Sequence, residues 1–310
     1  MKDPKPPKTR TNLELPTELY TKYKEITKEK GQSIHTALIS HMKETIGMHQ
    51  TPSIDIPTDF VKFNELIGLP KHPATGQAMK LMPYQEQFFD LVNNSKHRKF
   101  HVNKARQIGF TELILRILAF YSFNRYAEGK IMIIAGTRER TAKKIMHRFQ
   151  ELFRNIPQVI QSQSDLLMTL INGTMIEALP SSSDAIRGDT KIKAIFLDES
   201  AHFKLIDDSV VMDAINPIVE TNQSDLFIIS TPNGKRGFFW NISNTDNDFV
   251  KKQYDIHVAE GWIYTKEQAG IMLESKLVDV AQEYLNQYTS PRDSIFNFPF
   301  TEEQYEAERF

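Results

Sequence analysis

Lys104, Gly109 and Thr111 fall in the stretch "KARQIGFTE", between the apolar run "KFHVN" and the aliphatic stretch "LILRILAFYSF". A strand, a turn and a helix start in that order suit a phosphate-binding loop, because the N–H groups of the turn and of the helix N-terminus must converge on the anion. The usual pattern GxxxxGK[ST] keeps its second glycine as Gly109, where the backbone approaches phosphate closely, and its hydroxyl as Thr111, which suits magnesium. Its lysine is missing, and Phe110 holds the place. Lys104 stands at the pattern's first glycine, at the other mouth of the loop, and its four-carbon stem can reach the same oxygens; Arg106 adds a fork-shaped donor. Lys104, Ala105, Arg106, Gln107, Ile108, Gly109, Phe110 and Thr111 together are a candidate ATP loop, though a turn of this kind also arises by chance.

Two further stretches end in polar groups. In "KAIFLDESAHF" four apolar residues deliver Asp198 and Glu199 at the end of a buried strand. Asp198 can hold a magnesium shell, and Glu199 can orient and deprotonate an attacking water. Acidic pairs also cap helices; it is the phosphate loop earlier in the chain that favours the catalytic reading. In "LFIISTPNGKRGFFW" another apolar run ends in Ser230, Thr231 and Asn233, small polar groups suited to sensing a γ-phosphate, although Pro232-Asn233-Gly234 is also an ordinary turn.

These groups need a scaffold. "KFHVN", "KIMIIAG", "AIFLDE", "DLFIIS" and "KKQYDIHV" are short apolar runs separated by amphipathic stretches such as "RERTAKKIMHRFQELF". Such alternation predicts an α/β domain, a mainly parallel sheet flanked by helices, with chemistry collected at the carboxyl edge of the strands. "LLMTLINGTMIEAL" adds a hairpin turned at Asn172-Gly173.

With 310 residues, 40% of them apolar, the chain can bury one full core and carry a small second module. Cysteine is absent, which removes disulfides, cysteine-ligated zinc and thiol catalysis. Neither a membrane span nor a secretory leader is expected, so the chain reads as cytoplasmic with no membrane partner. The formal net charge is -1, but residues 1–50 carry nine Lys and Arg against six Asp and Glu. That excess is too small to establish contact with nucleic acid.

Residues 1–8 read as a flexible tail and 9–49 as a compact module. Thr11, Leu13 and Leu15 alternate with polar neighbours like a short strand; a helix follows Pro16, Gly31 ends it, and Ser33 caps a second. This order resembles the ribbon-helix-helix family, in which two chains pair their strands, often into a DNA groove. The resemblance implies dimerisation and places Arg10 and Asn12 toward DNA; Glu14 departs from the basic residue often found there. Residues 50–75, with repeated prolines, read as a linker, and the α/β domain as 76–310.

The succession "MPYQEQFFDLV", "KARQIGFTE", "IMIIAGTRERTA", "AIRGDT", "IFLDESAHF" and "STPNGKRGFFW" resembles the ATPase domain of viral terminase large subunits. The resemblance implies a P-loop NTPase fold of the ASCE type and a motor that hydrolyses Mg2+-ATP to move double-stranded DNA into capsids. It implies a ring of like subunits, with a portal and a small terminase-like subunit as partners, in the host cytoplasm. By it Tyr84 and Gln85 sit on the adenine side, and Lys104 and Arg106 replace the displaced loop lysine. Asp198 and Glu199 bind magnesium and activate water, and Ser230, Thr231 and Asn233 couple hydrolysis to movement. Arg187 becomes a phosphate sensor or a partner-subunit arginine. Terminases usually continue into a nuclease domain with clustered acidic metal ligands; no comparable constellation is read after "QEYLNQYTSPRDSIFNFPF", so nuclease activity is not expected of this chain. Two rival readings are a ribbon-helix-helix DNA-binding regulator or recruitment adaptor with a weakly active or inactive ATPase-like domain, and a helicase of related core.

Overall fold

The computed structural model describes residues 17–29, 34, 37–38, 54–181, 186, 191–203 and 208–289. The chain divides into two units, Met1–Asp55 and Ile56–Phe310. In the first, helix α1 (Thr17–Glu29) follows Pro16 as expected. The expected strand over 11–15, the Ser33 cap, Arg10 and Asn12 lie outside the described residues, as does Arg187.

The second unit is built on one eight-stranded sheet. Its strands are β1 (Lys99–Lys104), β2 (Lys130–Ala135), β3 (Ile160–Gln163), β4 (Leu167–Leu170), β5 (Met175–Leu179), β6 (Ile192–Asp198), β7 (Asp225–Ser230) and β8 (Val250–Tyr254). They lie in the order β3-β4-β5-β2-β6-β7-β1-β8. Only β3–β4 and β4–β5 pair antiparallel, the latter as the expected hairpin, with Gly173 at φ 81° in its turn. The other pairs are parallel.

Alternation along the strands divides the core between two faces. Met132, Ile134, Ile195, Leu197, Leu226 and Ile228 pack with α6 (Ser209–Asn222) and α7 (Gly237–Asn244). The opposite face takes α4 (Phe110–Asn124) and α5 (Glu139–Glu151). Because α4 is covered by α3 (Pro83–Asn94) as well as by the sheet, it is apolar almost all round. Two short helices, α8 (Lys266–Leu273) and α9 (Val280–Glu283), follow β8.

The stretch expected to be a linker corrects the sequence reading. It holds α2 (Phe60–Ile67), capped by the Asp59 carboxylate on the Lys62 N–H at 2.8 Å, with Phe60, Phe63 and Ile67 buried. Phe60 stacks on Phe89 at 3.9 Å, and Phe63 meets Phe120 edge-on. The prolines flank this helix and so do not break it. Arg116 of α4 fixes its far end by donating to Asn64 Oδ1 at 2.9 Å and to the Gly68 carbonyl at 2.8 Å. No described helix is long and apolar enough to cross a membrane.

His101 on β1 makes the fold sensitive to acid. Its Nε2 lies 3.0 Å from the Phe239 carbonyl, which can only accept, so that nitrogen carries the proton of a neutral ring. Burial, stronger than the stabilising carbonyl, pushes its pKa from 6.5 down to about 4. The unfolded chain therefore binds the proton first. The contribution of His101 to stability is complete above pH 6.5 and is lost as pH falls toward 4, by about 3 kcal/mol. In denaturant titrations the wild type should lose stability across that window more steeply than His101→Gln. Parallel slopes would remove His101 from the account.

Candidate active site

β6, β7 and β1 lie side by side, and their parallel register sets Asn103 level with Ser230 and Asp198 level with Ile229. The candidate loop, the acidic pair and the Ser230-Thr231 turn therefore open at one edge of the sheet. The loop joins β1 to α4, with Gly109 as the helix N-cap at φ 85°. A Cβ there would stand 3.3 Å from Gln85 Nε2 and 3.5 Å from the Met82 methyl, so both conformation and space favour glycine. The first N–H groups of α4 lack intrahelical partners and open toward the loop.

The position of Phe110 explains the missing lysine. Its ring is buried against Phe88 at 4.9 Å, Tyr254 at 5.1 Å and Tyr84 at 6.0 Å. An ammonium at that place would enter an aromatic core with no partner. The cation comes from Lys104 instead: only 5% of its side chain is exposed, and its Nζ lies 2.6 Å from Glu199 Oε1. Since β7 separates β1 from β6, the lysine stem spans the end of the intervening strand.

The carboxylates differ in environment. Asp198 accepts from Thr111 Oγ1 at 2.8 Å, and burial, reinforced by the charge of Glu199, pushes its pKa up to about 6 against the opposing pull of Lys104. Burial would also raise Glu199, but the charge and hydrogen bond of Lys104 outweigh it, and Glu199 stays below the ordinary carboxylate range. Glu199 also sits in the left-handed region, at φ 53°. Ser230 Oγ lies 3.5 Å from Glu199 Oε2 and accepts the Ala201 N–H at 3.2 Å; Asn233 donates to the Ala201 carbonyl at 2.9 Å. Thr231 Oγ1 and His202 Nε2 are 2.8 Å apart. Ser230 and Thr231 are buried behind Glu199, so their contact with the cleft runs through its turn.

Four of the expected nucleotide-site residues are already engaged by the protein itself. Tyr84 is buried and not among the cleft-lining residues: its hydroxyl donates to the Ile108 carbonyl, and its ring belongs to the Phe110 cluster. Gln85 does line the cleft, but its Oε1 accepts the Met82 N–H at 2.9 Å and its Nε2 lies 3.3 Å from the Gly109 carbonyl. Ala105 is buried, with its N–H on the Tyr254 carbonyl at 2.7 Å. Arg106 also lines the cleft, but its guanidinium lies 3.1 Å from Glu283 Oε2 and its N–H bonds the Glu283 carbonyl at 2.9 Å. The sequence reading also missed His202, although it lies inside the quoted "DESAHF". Glu283 and the turn at Trp262–Tyr264 carry no local signal, because only the fold brings them to the loop.

In front of the loop lies a cleft of about 1350 Å³, lined by Lys104, Gln107, Gly109, Thr111 and Glu199 among others. That is roomy enough for a nucleotide. Thr111 and Asp198 supply two hard oxygens in contact, a set that could hold magnesium, which binds through one or two carboxylates with phosphate oxygens and water. Among the described residues there is no denser cluster of metal-ligating side chains.

A parallel sheet with a glycine loop after one strand and an acidic pair two strands away defines a P-loop NTPase-like domain. Residues 102–299 match the family described as terminase large subunit, T4-like virus type, N-terminal, and the chain belongs to that family. Its fold is similar to the large terminase ATPase domain of Thermus phage P74-26, with TM-score 0.55 and 21% identity, over 76% of this chain and 100% of that one. It is also similar to the HK97 bacteriophage large terminase, with TM-score 0.60 and 19% identity, over 74% of this chain and 54% of that one. A thermophilic bacteriophage's large terminase in complex with ADP matches with TM-score 0.55 and 10% identity, over 67% and 54%. The chain thus spans about half the length of the HK97 and thermophilic-phage large terminases it matches. No curated protein matches it in sequence.

Proposed function

We propose that this chain hydrolyses Mg2+-ATP and uses the cycle to drive double-stranded DNA into a viral capsid. The observation that carries the proposal is the meeting of Lys104 with Glu199 and of Thr111 with Asp198 at one sheet edge. Thr111 and Asp198 would hold magnesium, which when bound neutralises charge on the phosphate oxygens. The loop N–H groups cradle the phosphates, and Lys104 exchanges Glu199 for the γ-phosphate. Glu199, released and ionised, takes the proton of a water aimed at the γ-phosphorus. Arg106 reaches the phosphates only by leaving Glu283, so its part begins after nucleotide enters. Ser230, Thr231 and Asn233, in contact with the Glu199 turn, carry its displacement into the sheet edge.

Family membership supports DNA as the moved substrate, a homo-oligomeric ring as the working state, and a capsid portal and a small terminase-like subunit as partners in the host cytoplasm. The test is ATP turnover by the full chain with and without duplex DNA. Magnesium-dependent turnover raised by DNA is expected. Salt-sensitive DNA binding with no turnover would favour the DNA-binding regulator instead.

A further inference from the structure

We propose that Trp262 is the platform on which the nucleotide base stacks; the inference rests on the ATP-site reading above. The side chains first expected at the base are otherwise occupied. Tyr84 is sealed behind the loop, and both ends of the Gln85 amide already contact backbone. An apolar seat for the base must come from another wall of the cleft.

The turn after β8 supplies that wall. Tyr264 Oη donates to the Gln107 carbonyl at 3.2 Å, and Ile263 Cδ1 lies 3.8 Å from where a Gly109 Cβ would stand. These two contacts fix the turn against the crown of the phosphate loop. Its backbone is closed on itself, Trp262 N–H on the Ala259 carbonyl at 3.2 Å and Gly261 N–H on the Tyr264 carbonyl at 2.7 Å. Trp262 precedes the two anchoring residues, lines the same cleft and is 40% exposed. Met79 and Met82 also line it, so the same cleft offers further apolar and polarizable surface. A partly exposed indole on a turn anchored against the phosphate loop and lining the cleft is the chemistry that receives a flat heteroaromatic base. A stack of this kind accepts any base, because each presents a π-face.

The chain has two tryptophans, Trp240 and Trp262, so fluorescence can be assigned. With the full chain and magnesium, ADP should quench emission in the wild type and in Trp240→Phe but not in Trp262→Phe. Inorganic tripolyphosphate should bind without quenching. Trp262→Ala should weaken ADP binding roughly 10-fold, leave tripolyphosphate binding unchanged, and be largely rescued by Trp262→Phe. ADP bound by Trp262→Ala as tightly as by the wild type would overturn the platform and leave the ATP site standing. A wild type that binds neither ligand would overturn both.

Discussion

Replacing Glu199 by Gln is expected to reduce ATP turnover by about three orders of magnitude while leaving Mg2+-ATP bound with near wild-type affinity. The amide keeps the size and hydrogen-bonding reach of the carboxylate but cannot take a proton from water. Lys104 and burial act on Glu199 in opposite directions, and the lysine prevails, so the wild-type carboxylate is ionised at neutral pH. A base held that low is weak until its cation leaves. Exchange of Lys104 from Glu199 to the γ-phosphate would therefore switch the base on when the substrate is in place. Glu199→Gln removes the base and also loosens the lysine, so nucleotide affinity should hold or rise. Calorimetric binding of ATP combined with single-turnover hydrolysis separates the two effects. Wild-type turnover in this variant would assign water activation to another residue.

The parts of this site that were legible in the sequence are those carried by strand ends. A strand end is local: an apolar run stops and polar residues begin, as at Lys104, Asp198 and Ser230. Parallel order then makes these ends neighbours. What the sequence did not reveal is where side chains spend their hydrogen bonds. Tyr84 and Arg106 have the right chemistry for a nucleotide site, yet the Ile108 carbonyl and Glu283 already engage them. Both partners lie far along the chain, beyond any periodic signal. The helix at Phe60–Ile67 was hidden for a different reason. Eight residues are too few for a pattern to stand out among prolines, and its stability comes from packing on Phe89, Phe120 and Arg116. The strand β3 is a polar edge of four residues with little burial to announce it.

Lys104→Ala is expected to lower turnover by about two to three orders of magnitude, the loss typical of removing one well-placed donor from a charged transition state, and to weaken ATP binding as well. The second effect distinguishes it from Glu199→Gln. Without its ammonium the half-buried carboxylates Asp198 and Glu199 face each other with less to offset desolvation, so the Glu199 carboxyl should move up from its lowered position. Restoring a lysine at the usual place of the pattern should not repair the defect. In the double variant Lys104→Ala with Phe110→Lys, the new side chain would start from a position directed into Tyr84, Phe88 and Tyr254 rather than into the cleft. That variant should be less stable than Lys104→Ala alone and no more active, measured by thermal unfolding and by turnover at saturating ATP. Recovery of turnover in it would mean that the loop can turn Phe110 outward, and that Lys104 is one of two interchangeable cations. Loss without recovery ties the chemistry to the ammonium at the end of β1, reaching across β7 to the acidic pair.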